Sequence, residues 1–175
     1  MRFLPVVLFA AVLAGCGDAP KTENAAADLK PHMQKVYAAW STLDAAKPAP
    51  FYAKDAGLVF FDLAPFSYKG WSAYEEGFRK AAAEWKAIKI ELGPDFQASR
   101  RGDVAWVIYT LNFDIAPKSG EHMKGSARGT DVLEKRGDNW LIVHEHVSVP
   151  MMEPEKKAPP KPAAKPKTAK KSRRK

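Results

Sequence analysis

Two carboxylates in the last two predicted strands, Asp131 and Glu145, are the residues best suited to acid/base chemistry. The segment from Leu141 to Val149 alternates as a half-buried strand does, and Glu145 is the single carboxylate on its apolar face. That face consists of Leu141, Val143, Val147 and Val149. A carboxylate isolated among apolar side chains predicts a perturbed pKa and a chemical role.

The turn before this strand decides what lies opposite Glu145. A two-residue loop would pair Leu133 with Ile142 and mix the apolar and polar faces. A three-residue loop, Gly137 to Asn139, instead pairs Leu133 with Val143, with Asn139 in the left-handed position. We predict the three-residue loop, which places the two carboxylates directly across from each other. Two ionised carboxylates that face each other repel, and this repulsion raises the pKa of one of them. One proton is then shared between the two groups, which makes them a candidate acid/base pair.

Two amphipathic helices precede the long strands of the predicted sheet. Pro31 suits the first turn of the first helix, and Pro48 ends the segment. Its apolar face is formed by Met33, Val36, Tyr37, Trp40 and Leu43. Ser72 and Glu75 form a capping-box pattern, which predicts a second helix that reaches Trp85. The apolar face of this helix is predicted to be Tyr74, Phe78, Ala81, Ala82 and Trp85.

The remaining pattern is that of strands. Leu58 to Leu63 is a short strand between the helices, and Val104 to Ile115 is a long segment rich in β-branched and aromatic residues. Lys124 to Lys135 and Trp140 to Val149 complete an antiparallel meander. The inward face of the long strand is predicted to be Ala105, Val107, Tyr109, Leu111, Phe113 and Ile115. Helices followed by a meander predict an α+β domain with helices on one face of a bent sheet.

This order of elements, closing on Arg128-Gly129-Thr130-Asp131 and on the strand from Trp140 to Pro150, resembles a SnoaL-like domain of the nuclear transport factor 2 and ketosteroid isomerase superfamily. The closing strand also resembles that of the association domain of calcium/calmodulin-dependent protein kinase II. The resemblance implies a cone-shaped α+β domain whose curved antiparallel sheet packs against two or three N-terminal helices. It further implies a cavity between the sheet and the first helix, and frequent dimerisation through the sheet. It implies no particular reaction, because the fold hosts enzymes, transport factors and assembly modules.

The implied cavity defines the candidate ligand-binding residues, which are Tyr37, Trp40, Tyr109, Leu111, Phe113, Asp131 and Glu145. Ketosteroid isomerases use a tyrosine and a protonated carboxyl beside a base carboxylate. Tyr37 or Tyr109 with Asp131 and Glu145 supplies those residue types, but the positions do not align with the motif residue by residue. The alternative is that both carboxylates lie solvated at an open rim and do no chemistry.

His144 and His146 form a His-x-His pair, and His122 offers a third nitrogen for a metal ion. The resemblance places this pair on the outer, dimer-forming face of the sheet, which favours an interface role and no metal. The predicted interface residues are Trp106, Arg128, Thr130, Trp140, His144 and His146.

The N-terminus is typical of an exported lipoprotein. Arg2 precedes an apolar run from Phe3 to Val12 that is too short to span a bilayer. Leu13 to Cys16 then resembles the bacterial lipobox, which implies diacylation of Cys16 and removal of the preceding peptide. Gly17 stands where some inner-membrane lipoproteins have aspartate, so we predict a lipid-anchored protein of the bacterial cell envelope, at the outer membrane and facing the periplasm.

The C-terminal segment is predicted to be disordered and basic. Glu153 to Lys175 carries the whole net charge of +8 and holds no aromatic residue, so it cannot bury a core. Export argues against nucleic acid, so the predicted partners are anionic envelope polymers or lipid phosphates. A solubilising tail without a partner is the alternative. The predicted organisation is a signal peptide at 1–15, a tether at 16–29, the domain at 30–150 and the basic tail at 151–175.

Two functions fit these patterns. The first is an envelope lipoprotein whose domain binds a small apolar or amphipathic ligand, forms a homodimer, or both, without catalysis. The second is an acid/base enzyme of the isomerase, dehydratase or cyclase type that acts on a small carbonyl compound through Asp131 and Glu145. The first is favoured because the sequence shows no nucleophile with a base, no phosphate-binding loop and no complete set of metal ligands. No cofactor is predicted.

Overall fold

Two α-helices and a seven-stranded sheet make up the part of the chain that the computed structural model describes, residues 22–63 and 65–150. Cys16 and the predicted basic tail lie outside these residues. The helices are α1 (Thr22–Trp40) and α2 (Gly70–Ala82), with a single 3₁₀ turn at Ala49–Phe51. The strands are β1 (Val59–Phe61), β2 (Tyr68–Lys69), β3 (Trp85–Leu92), β4 (Gln97–Arg101), β5 (Val104–Pro117), β6 (Met123–Arg136) and β7 (Asn139–Ser148).

Helix α1 begins inside the segment predicted as a tether. It starts at Thr22, and Ala25 and Leu29 are buried in the core. The alanine-rich run favours helix, and Leu29 extends the apolar face of Met33 by one turn, so burial holds these residues in the domain. Pro31 therefore lies inside the helix and not in its first turn. At this interior position the missing N–H group removes one backbone hydrogen bond.

Helix α2 begins earlier than its sequence pattern predicts. Gly70 adopts a positive φ of 77° and turns the chain directly from β2 into the helix. The predicted capping box of Ser72 and Glu75 is wrong, because the N-cap residue is Lys69 and it makes no side-chain cap hydrogen bond. The helix also ends before Trp85, which is the first residue of β3.

The curved, unclosed sheet has the strand order β2-β1-β7-β6-β5-β3, and β4 pairs with the other half of β5. β1 and β7 pair in parallel, while the other described pairs are antiparallel. Helix α1 packs against β3 and β4. The predicted α+β class and the N-terminal position of the helices are confirmed. The short strands β2 and β4 are not predicted by alternation, since neither carries a regular apolar face.

The two faces of β5 are separated as predicted. Ala105, Val107, Tyr109, Leu111 and Ile115 are buried on the inner face, towards the helices. Val104, Trp106 and Ile108 lie on the opposite, outer face, where each exposes roughly two fifths of its surface, at 42%, 37% and 43%. The inner face therefore carries the core and the candidate site.

The hairpin between β6 and β7 differs from the prediction. Its loop has two residues, Gly137 and Asp138, because Arg136 pairs with Asn139. The left-handed residue is Gly137, with φ 62°, which suits the first position of a two-residue hairpin turn. The predicted three-residue loop is thus wrong.

A β-bulge then corrects the register. Leu133 pairs with Ile142, and the next pair is Val132 with His144, so Val143 is an extra residue in β7. At the bulge, the alternation of inward and outward side chains along β7 is reversed. Ile142 is fully buried on the inner face, and Trp140 packs partly buried against the core with the Arg100 guanidinium over its ring. The expectation that Trp140 lies on the outer face is wrong for this reason.

Candidate functional site

Asp131 and Glu145 face each other across β6 and β7. Both side chains are buried, with 0% and 1% of their surface exposed, and they are the buried acidic residues of the described chain. A solvated rim, the alternative that the sequence left open, is therefore excluded for this pair. Two carboxylates in the same low-dielectric interior cannot both ionise at low cost.

The Glu145 carboxylate accepts hydrogen bonds from two tyrosines. The Tyr52 hydroxyl donates to Oε2 at 2.6 Å, and the Tyr74 hydroxyl donates to Oε1. The indole Nε1 of Trp40 in turn donates to the Tyr52 hydroxyl oxygen at 2.9 Å. Tyr52 follows the 3₁₀ turn, Tyr74 comes from α2, and Trp40, which holds Tyr52, comes from α1, so three separate parts of the chain position this carboxylate.

The Asp131 carboxyl has fewer partners. The Tyr109 hydroxyl donates to Oδ2 at 2.9 Å, and the Tyr37 and Tyr109 hydroxyls are hydrogen-bonded to each other. Oδ1 is buried and has no hydrogen-bond partner among the described residues. Gly129 pairs with Tyr109, and the missing side chain gives the tyrosine ring its space.

Burial raises both carboxyl pKa values. The pKa of Asp131 lies well above its ordinary value, because of desolvation and then the charge of Glu145, while the Tyr109 hydrogen bond opposes the rise. Desolvation raises the pKa of Glu145 to about 7, against the opposing hydrogen bonds from Tyr52 and Tyr74. Asp131 has one donor where Glu145 has two, so Asp131 is the carboxyl that stays protonated.

Asp62, at the end of β1, is a third carboxyl of the site. Burial raises its pKa, and a hydrogen bond with Tyr74 opposes that rise. The charge of Asp62 also raises the pKa of Glu145. The Tyr74 hydroxyl thus lies between the deeply buried Glu145 and the partly exposed Asp62.

Sequence reasoning missed Tyr52, Tyr74 and Asp62. Tyr52 follows two prolines outside any periodic segment, so no alternation pointed to it. Tyr74 belonged to the predicted apolar face of the second helix, and its hydroxyl gave no separate signal. Asp62 directly follows the short first strand, whose parallel pairing with the last strand brings distant residues together.

The predicted ligand-binding residues lie on the inner face. Tyr37, Trp40, Tyr109 and Leu111 are buried, and Phe113 is partly buried. In β5, Val107 pairs with Asp131, so Leu111 and Phe113 lie further along the strand from the carboxyl pair. Their role in binding stays a prediction.

The site is enclosed by aromatic rings. Tyr52 packs edge-on against Trp40 and Phe60 and tilted over Trp71, with ring centroids 4.7–5.7 Å apart. Tyr74 stacks on Phe60 at 5.4 Å. These contacts leave few rotamers open to the tyrosines, so their hydroxyls are held in place.

The histidines lie apart from this site. The His144 Nδ1–H group donates to the Val59 carbonyl oxygen at 2.7 Å, and His144 and His146 both make edge-to-face contacts with the Phe61 ring. His122 pairs with Asp114 at 3.1 Å. Within residues 22–63 and 65–150, no three His, Cys, Asp or Glu side chains are arranged to hold a metal ion. Among the helices of this part of the chain, none has the length and apolar character to cross a membrane.

Comparison with known proteins agrees with this fold. The profile of the SnoaL-like domain matches residues 30–152, and the chain belongs to that family. No curated protein matches the chain.

Solved structures share the fold at low sequence identity. A nuclear transport factor 2-like superfamily protein from Salmonella enterica serovar Typhimurium is similar with a TM-score of 0.68 and 15% identity, over 79% of this chain and 99% of that one. A proposed calcium/calmodulin-dependent protein kinase II association domain from Xanthomonas campestris gives 0.63 and 22%, over 84% and 100%. A proposed scytalone dehydratase from Novosphingobium aromaticivorans gives 0.61 and 11%, over 70% and 82%.

Proposed function

We propose that the interior of this domain binds a small, mostly apolar molecule that carries one hydrogen-bond-accepting oxygen. The observation that carries the proposal is the buried Oδ1 atom of Asp131, which has no partner among the described residues. A protonated Asp131 has an O–H group to donate, and a buried donor without an acceptor costs free energy. A ligand carbonyl or hydroxyl oxygen would supply the acceptor.

The aromatic surroundings favour the rest of that ligand being apolar. Trp40, Tyr52, Tyr74 and Tyr109 present ring surfaces, and their polar tips are already hydrogen-bonded within the protein. A site with many apolar walls and few oriented polar groups is typical of small-molecule binding.

Binding of matched probe pairs tests the proposal. We expect a cyclic ketone or a phenol to bind more tightly than the hydrocarbon of the same shape, as measured by calorimetry. Asp131→Leu should weaken ketone binding by about tenfold, comparable to one buried hydrogen bond, whereas Asp131→Asn keeps an N–H donor and retains binding. Thr130→Val, on the opposite face of the same strand, is the matched control. Equal affinity for ketone and hydrocarbon in the wild type would overturn the proposal.

Acid/base catalysis is a second candidate, supported by the pKa of Glu145 of about 7 beside a protonated Asp131. Glu145 would remove a proton next to a carbonyl group while Asp131 donates a hydrogen bond to the carbonyl oxygen. Proton NMR of an enolisable ketone in D₂O measures this exchange directly. Loss of exchange in Glu145→Gln with retained binding supports catalysis. Binding without exchange in the wild type limits the domain to a binding role.

Two further parts of the proposal concern location and assembly. The lipobox-like sequence supports anchoring at the envelope through Cys16, and the basic tail supports contact with anionic envelope polymers or lipid phosphates. Homodimer formation is supported by the outer stripe of Val104, Trp106 and Ile108, which leaves apolar surface in water. Proteins of similar fold include association domains of calcium/calmodulin-dependent protein kinase II.

A further inference from the structure

A groove of about 340 Å³ crosses the outer face of the sheet, on the side away from the carboxyl pair. Its polar lining includes Gln97 from β4, Thr110 from β5, Arg128 and Thr130 from β6, and His146 and Ser148 from β7. The register makes these residues neighbours, because Arg128 pairs with both Thr110 and Ser148, and Thr130 pairs with His146.

Arg128 differs from the other arginines of residues 22–63 and 65–150. Arg79 and Arg136 form ion pairs with carboxylates, and the guanidinium groups of Arg100 and Arg101 lie over tryptophan rings. Arg128 donates through Nε to the Ser148 Oγ atom at 3.1 Å and has no carboxylate partner in this part of the chain. Arg128 lines the groove, and its two terminal nitrogens have no hydrogen-bond partner among the described residues, so their donors are available.

The neighbouring hydroxyls add to this donor set. Ser148 Oγ accepts from Arg128, which leaves its own hydrogen free to donate into the groove. Thr130 of β6 and its pairing partner His146 of β7 are both exposed and line the groove.

One acidic residue, Asp95, also lines the groove. Its Oδ1 atom accepts from the Thr110 amide at 3.0 Å and from the Thr110 hydroxyl at 2.7 Å. These bonds hold the carboxylate at Thr110 and use the Thr110 hydroxyl hydrogen. Asp95 is therefore held on the β5 side of the groove, whereas the Arg128 side chain bonds to Ser148 on the β7 side.

We propose that this groove binds the oxyanion group of a small molecule, a carboxylate or a phosphate, on Arg128 with Thr130, His146 and Ser148. A guanidinium offers two parallel N–H donors that match two oxygens of such a group. The site is separate from the interior site, because its side chains point away from Asp131 and Glu145. It does not depend on ligand binding in the interior, but it requires that the proposed homodimer contact leave Arg128, Thr130 and His146 open, since Ile108 lines the groove as well.

NMR titration of the full chain carrying Cys16→Ser, with inorganic phosphate and with succinate as separate probes, tests the proposal. We expect saturable shifts at the amides of residues 110, 128, 130 and 148 with at least one probe, and the stronger probe distinguishes phosphate from carboxylate. Glycerol, a neutral probe, should give none. Affinity should fall as ionic strength rises.

Arg128→Gln should weaken binding by about tenfold, while Arg101→Gln, which removes the same charge from the same face outside the groove, should change it less than about twofold. Circular dichroism checks that both variants are folded. Equal binding by Arg128→Gln and the wild type, shifts confined to the basic tail, or no saturable shift with either probe would overturn the proposal.

Discussion

The Asp131 carboxyl lies directly across the β6–β7 ladder from the Glu145 carboxyl, and both are buried. Like charges facing each other on neighbouring strands are destabilising unless one is neutral. The pair therefore links the stability of the fold to pH. Because the pKa values of both groups are raised on folding, the native state binds protons that the unfolded state releases.

The first prediction concerns this pH dependence. The stabilising contribution of a protonated Glu145 is complete below its ordinary pKa near 4.5 and is lost as the pH rises through about 7. We expect the free energy of unfolding to fall over that range, by on the order of 3 kcal/mol from Glu145. Glu145→Gln should reduce the dependence to the part that Asp131 contributes, as measured by urea unfolding at pH 5 and pH 8. Glu121→Gln, at an exposed carboxylate, is the control, and an unchanged slope in Glu145→Gln would contradict the prediction.

The second prediction concerns Gly129. A Cβ atom at this position would overlap the Tyr109 ring, which is buried and holds its hydroxyl at Asp131. Gly129→Ala should destabilise the domain by about 1–3 kcal/mol, as overpacking of a core does. Chemical unfolding of Gly129→Ala in the wild type and in a Tyr109→Ala background measures the coupling. We expect the cost to disappear in the second background, and an equal cost in both would show that Tyr109 is not the cause.

The third prediction concerns the outer stripe. Trp106 and Ile108 would be covered in a homodimer, so Trp106→Lys should yield monomers in light scattering of the unlipidated chain. Met123→Lys is a matched control, because Met123 is also exposed, at 47%, but lies off the stripe. A wild type that is monomeric at all concentrations, or a dimeric Trp106→Lys variant, would contradict the dimer.

The fourth prediction concerns Cys16. Cys16→Ser should abolish acylation and move the protein from the detergent phase to the aqueous phase. Metabolic labelling with a fatty acid, followed by detergent partitioning, measures both effects. An unlabelled wild type would refute the lipoprotein assignment.

The fifth prediction concerns the basic segment. Deletion of Glu153 to Lys175 removes a net charge of +8 and should abolish salt-sensitive retention on anionic envelope fractions. Thermal unfolding should not change, since the segment holds no aromatic residue that could enter the core. Unchanged retention would show that the segment has no such partner.

The sequence predicts the inner face of β5 well, because only one of the two faces of this long strand is apolar along its whole length. It also predicts the pairing of Asp131 with Glu145, although for a reason that the structure corrects. The two-residue loop moves the register by one position and the bulge at Val143 moves it back. The pattern could not distinguish this from a three-residue loop without a bulge, since both place the carboxyls opposite each other.

What the pattern could not provide is the set of partners around the carboxyls. Tyr52 and Asp62 reach the site because β1 and the preceding turn lie beside β7, far away in sequence. Parallel pairing between strands that are far apart in the sequence produces no local hydrophobic periodicity. The orphan Oδ1 atom of Asp131 is likewise a property of three-dimensional packing, which no single segment encodes.

The compensating loop and bulge also bear on how relatives of this chain are compared. A homologue with one residue more in the loop and none extra at position 143 would keep the same carboxyl pair while every residue between Asn139 and Val143 shifts by one in number. An alignment that forbids paired gaps would then set inward residues against outward ones along this strand. Relatives should therefore be superposed on Asp131 and Glu145, and not on the turn, because only that superposition matches the carboxyl pair in both proteins.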